Sequence, residues 1–383
     1  MDVKIVLLNT GHKSLDDRVF YHQAQSLLNE GYTIEIISTK ENLIENINSI
    51  QINSFDDSLF NQKQKIDEIV KQLTCSNPQI IIADTPLAII SSIIYKRNKK
   101  LKIIYDITEW HPSKKNLTNE KGLKKIVKSL LLILLNLISG LKSDYYIFGE
   151  HFKSLPFRIL FFWKPYIYLP YYPDLKYINC FPIVKIEKTV NLTFSGIISE
   201  EKGIESVIKS ITATALKNPD RIFNLRIIGY IPTNNDRLFF ENITSNLPEN
   251  IIIVQEKYLA FLDYCKTIGN THLFLDLRKK DIENSFCLPI KLFYYLACGR
   301  PIIYSNLNSI KKAIPNMDFG YTCEPNDYES ISDRITEYIN NKDLYNTHCC
   351  NALKISNNKF NWKLIENEFI SFIDNINNKI RKE

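Results

Sequence analysis

The sequence predicts an α/β protein made of two open, doubly wound domains with parallel sheets. The chain has 383 residues, short apolar runs recur along it, and a helix-length segment separates most runs from the next. A chain of this length exceeds what one ordinary hydrophobic core accommodates. Short, near-continuous apolar runs are typical of strands buried on both faces, as in parallel sheets.

Both halves of the chain carry the same alternation. The predicted strands cover residues 3–8, 33–37, 80–83, 103–105 and 145–148 in the first half, and 190–194, 225–228, 251–254, 272–275 and 301–304 in the second. The predicted helices include residues 20–30, 123–141, 203–216 and 289–298. We therefore predict an N-terminal domain at 1–172, a proline-stiffened linker at 173–189 and a C-terminal domain at 190–360.

The amino-acid composition and net charge limit the kinds of partner that this protein is expected to bind. Hydrophobic residues make up 45% and charged residues 23%, which is ordinary for a soluble globular chain. The net charge of +6 suits an anionic small ligand or an acidic membrane surface. The basic residues are scattered, without a nucleic-acid-binding signature, so we expect no nucleic-acid partner.

The cysteines and the apolar runs indicate a cytoplasmic protein. Eight scattered cysteines form no C-x-x-C pair and no cluster with zinc spacing, which favours a reducing compartment and no metal site. The N-terminus reads as a first strand rather than a signal peptide. No apolar run reaches the roughly 18 to 20 residues that a membrane span needs.

Ligands of open α/β domains bind outside the carboxyl ends of the strands, so the loops there are the candidate sites. The loop after the first strand contains His12, Asp16 and Arg18. This loop either shapes a ligand site or is solvated, with Asp16 or Asp17 as a helix N-cap.

The loop after the fourth strand places Asp106, Glu109 and His111 together. Carboxylates and a histidine at one strand end could hold sugar hydroxyls or assist proton transfer. The alternative is a helix cap beside a packed Trp110.

In the second half, Gly196, Lys202 and Gly203 join a strand to a helix. A glycine turn, a lysine and helix N-terminal amides suit a diphosphate, although an ordinary βα loop would look similar. Further donor-side candidates follow the predicted strand at 272–275: Arg278, Asn284, Ser285, Lys291 and Tyr294.

These pieces, in this order, resemble family 4 of the retaining glycosyltransferases over nearly the whole chain. The first loop is similar to an H-x-x-x-D-x-R pattern, and residues 105–109 to a tyrosine-aspartate-x-histidine-glutamate segment. Residues 196–203 match the donor-phosphate loop G-x-x-x-x-E-K-G, residues 289–301 match the helix after the donor loop, and Asn361-Trp362 precede a last helix as usual.

Three positions depart from the family pattern. Ile197 stands where an arginine usually follows the glycine, so Lys202 acts alone or with Arg278, Lys279 or Lys280. Tyr294 stands where a glutamate usually binds the donor ribose, and Thr108 where a histidine is expected.

The resemblance implies a GT-B fold, in which two Rossmann-like domains face a central cleft. The C-terminal helix, about 361–383, would pack back onto the first domain. The acceptor would bind the N-terminal domain, and a UDP- or GDP-sugar the C-terminal one, without metal or other cofactor. Lys202 and the Gly203 amide would stabilise the leaving diphosphate; Asp106, Glu109 and His111 would contact acceptor and sugar hydroxyls.

The implied process is assembly of a bacterial surface polysaccharide, such as capsule or lipopolysaccharide O-antigen, on a glycan or polyprenyl-diphosphate-linked acceptor. A lipid-linked acceptor would bring the protein to the inner face of the cytoplasmic membrane. Lys121, Lys124, Lys125 and Lys128 lead into the apolar stretch 130–138, and residues 157–164 form a second candidate contact. If these two segments do not contact a membrane, we expect both to be buried in the hydrophobic core of the domain.

Three other classes share parts of this pattern. A catalytically impaired glycosyltransferase-like partner protein would explain Ile197 and Tyr294. A nucleotide-sugar 2-epimerase would share the fold, although its carboxylate-rich site is not evident. A nicotinamide oxidoreductase is disfavoured because no G-x-G-x-x-G follows either first strand.

Overall fold

The computed structural model describes residues 3–97, 99–109, 112, 117, 120–178, 181–183, 185–257 and 259–382. The chain forms two compact units, Met1–Tyr171 with Ile365–Glu383 (unit 1) and Tyr172–Leu364 (unit 2). The segment 173–189, predicted to be a linker, lies within unit 2.

Unit 1 contains an eight-stranded sheet with the order β3-β4-β2-β1-β5-β6-β7-β8. All neighbouring strands are parallel except the β3–β4 pair. The strands are β1 Lys4–Asn9, β2 Thr33–Ser38, β3 Lys40–Ile47, β4 Ile50–Asp56, β5 Ile80–Ala83, β6 Lys102–Ile107, β7 Tyr145–Phe148 and β8 Tyr166–Tyr168.

Helices connect these strands. A π-helical segment, Asp17–Ala24, continues directly into a short α-helix. The helices of this unit are α1 Gln25–Asn29, α2 Gln62–Ser76, α3 Pro86–Lys96, α4 Gly122–Lys142, α5 His151–Leu160 and, at the carboxyl end of the chain, α14 Glu366–Lys382.

Helix α14 packs on unit 1 through polar and aromatic contacts. The Ser26 hydroxyl donates to Glu366 at 2.5 Å, and the Tyr32 hydroxyl donates to Asp374 at 2.5 Å. Phe372 lies edge-on against Tyr145 of β7. These contacts place the last helix of the chain beside strands and helices formed by its first half.

Unit 2 contains a six-stranded parallel sheet with the order β11-β10-β9-β12-β13-β14. The strands are β9 Thr189–Ser195, β10 Ile222–Ile228, β11 Ile251–Glu256, β12 Leu273–Asp276, β13 Ile302–Ser305 and β14 Gly320–Cys323. The helices are α6 Ile204–Lys217, α7 Asn234–Thr244, α8 Phe261–Thr267, α9 Ile282–Phe286, α10 Lys291–Ala297, α11 Asn308–Ala313, α12 Tyr328–Asn340 and α13 Lys342–Lys359.

The central strands of both sheets are buried along nearly their whole length. Burial of apolar side chains on both faces stabilises this arrangement, since each fully buried branched or aromatic side chain contributes roughly 1.5–3 kcal/mol. The prediction of two doubly wound α/β units is confirmed. Each sheet has a topological switch point, where the strand order reverses: between β1 and β5 in unit 1, and between β9 and β12 in unit 2. The loops at the carboxyl ends of these strands are where a ligand can bind.

The sequence did not predict the β3–β4 hairpin. Its two-residue turn, Asn48-Ser49, has φ values of 53° and 68°. Such left-handed values are tolerated by asparagine better than by most residues. β3 is polar and largely exposed, so it lacks the apolar run by which the other strands were recognised.

Candidate functional site

The loop from β9 to α6 is shaped by glycines at both ends. Gly196 has φ of +151°, a conformation that side-chain-bearing residues rarely adopt. Gly203 has φ of +84°, and a Cβ atom there would lie 1.9 Å from the Leu277 carbonyl oxygen. The loop therefore packs directly on the end of β12, where only glycine fits.

A pocket of roughly 170 Å³ opens between this loop, the end of β12 and the start of α10. Lys202, Arg278 and Lys291 give it three cationic side chains, and Asp276 gives it one carboxylate. Its remaining lining comes from Phe194, Ser195, Gly196 and Ile197. The excess of positive charge suits an anion with more than one negative charge.

Two of the three cations are held by neighbouring side chains. Arg278 donates from Nε to Asp276 Oδ1 at 2.8 Å and from Nη2 to Asp276 Oδ2 at 3.1 Å. Burial disfavours the charged form of Arg278, but Asp276 outweighs it and raises the pKa of the guanidinium. Lys202 Nζ lies 3.2 Å from both Asn284 Oδ1 and Glu201 Oε1.

Lys291 is the third cationic side chain of the pocket. Within the described part of the chain it makes no hydrogen bond or ion pair, and its Nζ lies 3.3 Å from where a Cβ at Gly196 would be. Burial and the positive charge of Arg278 lower the pKa of Lys291 to about 8, although Asp276 opposes the shift. A bound phosphate would supply the anion that this lysine lacks.

The other predicted donor-side residues have different positions. Asn284, in α9, is buried and donates to the Lys279 carbonyl at 3.0 Å and to the Glu201 carbonyl at 3.4 Å, so it connects the loop after β12 to the loop that carries Lys202. Ser285 lies next to it and is not part of the pocket lining that the described residues form. Tyr294 is buried one turn after Lys291, with its ring 6.1 Å from the rings of Phe261 and Tyr264.

Two expectations about phosphate contacts need correction. The Gly203 amide, expected to face the diphosphate, donates to the Glu200 carbonyl at 3.1 Å. Lys279 and Lys280, considered as additional cations, pair with Glu200 and Glu324. Of the cations considered beside Lys202, Arg278 is the one that lines the described pocket.

In unit 1, Arg18 and Asp106 form a buried ion pair. Arg18 donates from Nε to Asp106 Oδ2 and from Nη2 to Oδ1, each at 2.8 Å, and from Nη1 to the Leu169 carbonyl at 2.8 Å. Gln23 donates to Asp106 Oδ2 at 2.8 Å, and the guanidinium lies 4.3 Å from the Tyr171 ring centre. Both carboxylate oxygens of Asp106 are engaged, so this residue holds the loop after β1 against the end of β6.

We expect the Asp106→Ala variant to lose about 3–5 kcal/mol of unfolding free energy, because Arg18 would be left buried without its anion. Chemical denaturation of the purified protein measures this loss. The matched control is Asp333→Ala, which breaks an exposed ion pair with Lys217 and should cost less than about 1 kcal/mol. Equal, small losses in both variants would contradict a structural role for the Arg18–Asp106 pair.

His12 lies within a group of carboxylates. Its Nδ1 is 3.6 Å from Asp16 Oδ2. Burial disfavours the imidazolium, but Asp16, Asp84 and Glu109 outweigh it and raise the pKa of His12. Burial and Asp17 in turn raise the pKa of Asp16. Asp16 also caps the helical segment that follows, accepting from the Arg18 amide at 3.0 Å. The predicted N-cap is therefore confirmed, and a role of this loop in a ligand site stays a prediction.

Asp84 was not predicted. It directly follows β5, is buried, and accepts from the amides of Thr10 at 3.0 Å and Gly11 at 3.1 Å. Burial raises its pKa to about 6 although those amides oppose the shift. Its position right after a predicted strand was the available signal, as it was for Asp276, which follows the predicted strand 272–275 and is the last residue of β12. His111, predicted to act with Glu109, lies outside the described residues.

The described residues contain no group of three or more His, Cys, Asp and Glu side chains that could hold a metal ion. No helix among them has the length and apolar character needed to cross a membrane. Two Rossmann-like units, one of them with a cationic pocket at the carboxyl ends of its strands, are the arrangement of nucleotide-binding α/β proteins.

Comparison with known proteins agrees with this arrangement. Residues 181–354 match the family model "Glycosyl transferases group 1". An uncharacterized glycosyltransferase of Haemophilus influenzae is 24% identical over 357 residues, covering 88% of this chain and 90% of that protein.

Two solved structures resemble nearly the whole chain. Sucrose-phosphate synthase from Thermosynechococcus elongatus has a TM-score of 0.75 at 13% identity, covering 98% of this chain and 99% of that one. Anabaena Alr3699/HepE in complex with UDP-glucose has a TM-score of 0.70 at 13% identity, covering 97% and 99%. The fold is thus that of the GT-B glycosyltransferases. The group 1 match covers most of unit 2, so this unit is similar to the enzymes of that family.

Proposed function

We propose that this protein is a glycosyltransferase, which transfers a sugar from a UDP- or GDP-sugar with retention at the anomeric carbon and without a metal. The observation that carries the proposal is the cationic pocket of unit 2, lined by Lys202, Arg278 and Lys291. It opens beside the end of β12 and the start of α10, and its excess of positive charge favours a phosphate group. The structure of Anabaena Alr3699/HepE holds UDP-glucose, which supports a nucleotide sugar of this type as donor.

The pocket supplies what the departing diphosphate requires. Negative charge grows on the diphosphate as the bond to the sugar breaks, so cations already fixed in place lower the barrier. Lys202 is anchored by Asn284, and Lys291 faces Gly196 from α10. Lys291 thus supplies the second cation that the family usually carries where this chain has Ile197.

The acceptor side lies in unit 1. Ionisable side chains follow the carboxyl ends of β1, β5 and β6: His12, Asp16, Asp84 and Glu109. The three carboxylates lie near enough to His12 to raise the pKa of its imidazole. These groups suit hydrogen bonds to acceptor hydroxyls, while Asp106 positions the loop that carries His12. The proposed acceptor is a glycan or a polyprenyl-diphosphate-linked glycan of a bacterial surface polysaccharide.

A catalytically impaired partner protein is the second candidate. Tyr294 supports it, because a tyrosine packed among aromatic rings stands where the family usually has an acidic ribose ligand. The two candidates differ in one result. An enzyme releases nucleoside diphosphate from its donor over many turnovers, and an impaired relative binds the nucleotide without turnover.

A thermal-shift panel of UDP-, GDP- and ADP-sugars in EDTA tests the proposal. Specific binding raises the apparent stability by about 2.7 kcal/mol at a ligand concentration 100 times Kd. We expect one class, UDP- or GDP-sugars, to raise Tm in the presence of EDTA. If no nucleotide sugar raises Tm, or if the increase needs added Mg²⁺ or Mn²⁺, the proposed metal-independent donor site is wrong.

Peripheral contact with an anionic membrane is part of the proposal. Helix α4 has only two buried residues, Ser139 and Gly140. Its exposed apolar side chains are Leu123, Ile126, Val127, Leu130, Leu131, Ile133, Leu134, Ile138 and Leu141. Beyond α5, Phe162 and Trp163 are also exposed. An apolar helix face bordered by lysines suits the interface of an anionic bilayer.

We expect the protein to co-sediment with phosphatidylserine-containing vesicles at low salt. Replacing Lys121, Lys124, Lys125 and Lys128 with glutamine should reduce the bound fraction, since each basic side chain near an anionic surface contributes about 1 kcal/mol. Binding should also weaken as salt rises, because charges are screened over about 8 Å at physiological ionic strength.

A matched control replaces four lysines on the other unit, Lys209, Lys217, Lys311 and Lys312, with the same change in net charge. If both quadruple variants lose binding equally, net charge rather than α4 is responsible. A wild-type protein that stays in the supernatant at low salt would refute membrane contact.

A further inference from the structure

A second pocket, in unit 1, has no role in the donor site. It has a volume of roughly 200 Å³ and lies among the end of β6, helix α4 and helix α5. Ile107, Ile133, Leu137, Pro156 and Phe157 make most of its lining apolar. An apolar cavity of about 150 Å³ is enough to hold a benzene-sized molecule, so this one can hold a short hydrocarbon segment.

The polar groups in the lining do not favour an anion. Lys153 donates to the Thr108 carbonyl at 2.5 Å and pairs with Glu150 at 2.6 Å. Asn136 accepts from the Tyr105 hydroxyl at 2.8 Å. Glu109 adds a carboxylate. With its lysine already paired and a carboxylate present, the pocket suits an uncharged, apolar guest.

The pocket is continuous with the exposed apolar face of α4. Ile133 belongs to both, since it lines the pocket and remains 39% exposed. Lys124 and Lys125 lie on the same helix and are exposed. A chain that leaves an anionic bilayer along this face would therefore reach the pocket without crossing a polar surface, while the lysines attract the headgroups around it.

We propose that this pocket binds the first segment of the hydrocarbon chain of a lipid-linked acceptor. The proposal rests on the acceptor class proposed above and adds the place where its chain is recognised. Glu109 lies in the lining, so a chain held here brings its polar end near the carboxyl edge of β6, where the acceptor-side residues are. The pocket then selects acceptors by the apolar group attached to their sugar.

Methyl NMR titrations with uncharged alkyl glucosides below their micelle concentration test this. Octyl glucoside should bind saturably and shift the methyl signals of Ile107, Ile133 and Leu137, and methyl glucoside should not. Each methylene that leaves water strengthens binding up to about fourfold, so octyl glucoside, with two more methylenes, should bind up to about 15-fold more tightly than hexyl glucoside. Uncharged probes avoid the phosphate pocket of unit 2.

A pair of variants separates the pocket from the exposed face. Ile133→Trp fills the pocket mouth and should raise the Kd for octyl glucoside at least ~10-fold, by removing apolar contacts. Leu134→Trp, at a neighbouring position that is 53% exposed and outside the lining, should leave Kd within about twofold. If Leu134→Gln with Leu130→Gln abolishes binding and Ile133→Trp does not, the exposed face is the site and the pocket proposal is overturned.

UDP titration of the same variants keeps this inference separate from the donor site. Both tryptophan variants should bind UDP like the wild type, and well-dispersed methyl signals from unit 1 show that the substituted unit is folded. Failure of octyl glucoside to bind, with UDP binding intact, would overturn the pocket proposal alone. Octyl glucoside binding without UDP binding would instead contradict the proposed donor site.

Discussion

Replacing Lys202 with alanine is expected to lower kcat at least ~100-fold, the usual effect of losing one group that stabilises charge in the transition state. Its Nζ is held by Asn284 at the pocket mouth, where the departing diphosphate becomes more negative. Release of nucleoside diphosphate from the donor that raises Tm most measures the effect. The fold should survive, because Lys202 is partly exposed.

Lys279→Ala is the matched control for Lys202→Ala. It removes the same charge from a neighbouring segment, but Lys279 is outside the pocket lining, partly exposed and paired with Glu200. Its kcat should stay within about twofold of the wild type. If both variants lose the same activity, the general field of unit 2, rather than contact with Lys202, assists the reaction.

Replacing Lys291 with methionine is expected to weaken UDP binding by roughly 10- to 150-fold, the worth of a charge-assisted hydrogen bond of about 1.5–3 kcal/mol. The same change should keep or raise Tm in the absence of UDP, because it removes a partly buried lysine that makes no hydrogen bond or ion pair within the described residues. A residue that merely supports the fold would give the opposite pattern, with lower Tm and little change in UDP affinity.

From the lowered pKa of Lys291 we predict how UDP binding depends on pH. Its pKa is about 8 in the free protein, and a bound diphosphate favours the protonated lysine and raises that pKa. Binding near pH 8 therefore takes up about half a proton, and affinity falls as pH rises above 8. The second pKa of a phosphate is about 6, so UDP itself contributes little at that pH.

Titrations at pH 8 in two buffers with different ionisation enthalpies measure this proton uptake. The Lys291→Arg variant keeps the charge at every pH, so it should bind UDP without proton uptake and with little pH dependence. The groups that face Lys291 in the pocket are Lys202, Arg278 and Asp276. Unchanged proton uptake in Lys291→Arg would show that another group titrates.

The sequence predicted the strands and the donor loop because local patterns define both. Buried parallel strands appear as apolar runs, and the donor loop as a glycine-flanked strand-to-helix turn. β3, β4, β8 and β14 were missed because none of them is a near-continuous apolar run. β3 and β4 are interrupted by polar residues, and β8 and β14 are only three and four residues long. The sequence signal that could have revealed the β3–β4 hairpin was its turn, because asparagine, as at Asn48, tolerates the positive φ that such turns require.

The pairings within the sites depend on tertiary contacts that local patterns do not contain. Arg18 and Asp106 are 88 positions apart in the sequence and join only because β1 and β6 lie on either side of β5. Lys291 reaches Gly196 because α10 follows β12, the neighbour of β9. For this reason Lys291 was predicted as one of several donor residues, without the role as second cation that we propose for it.

Calorimetric titration of the full chain with UDP in EDTA tests most directly whether the pocket of unit 2 binds the nucleoside diphosphate. We expect one UDP per chain without added metal, and we expect the Lys202→Ala, Lys291→Met double variant to lose this binding while keeping its fold. Wild-type binding that appears only with Mg²⁺ or Mn²⁺, or a double variant that binds UDP like the wild type, would contradict the assignment of this pocket as the donor site.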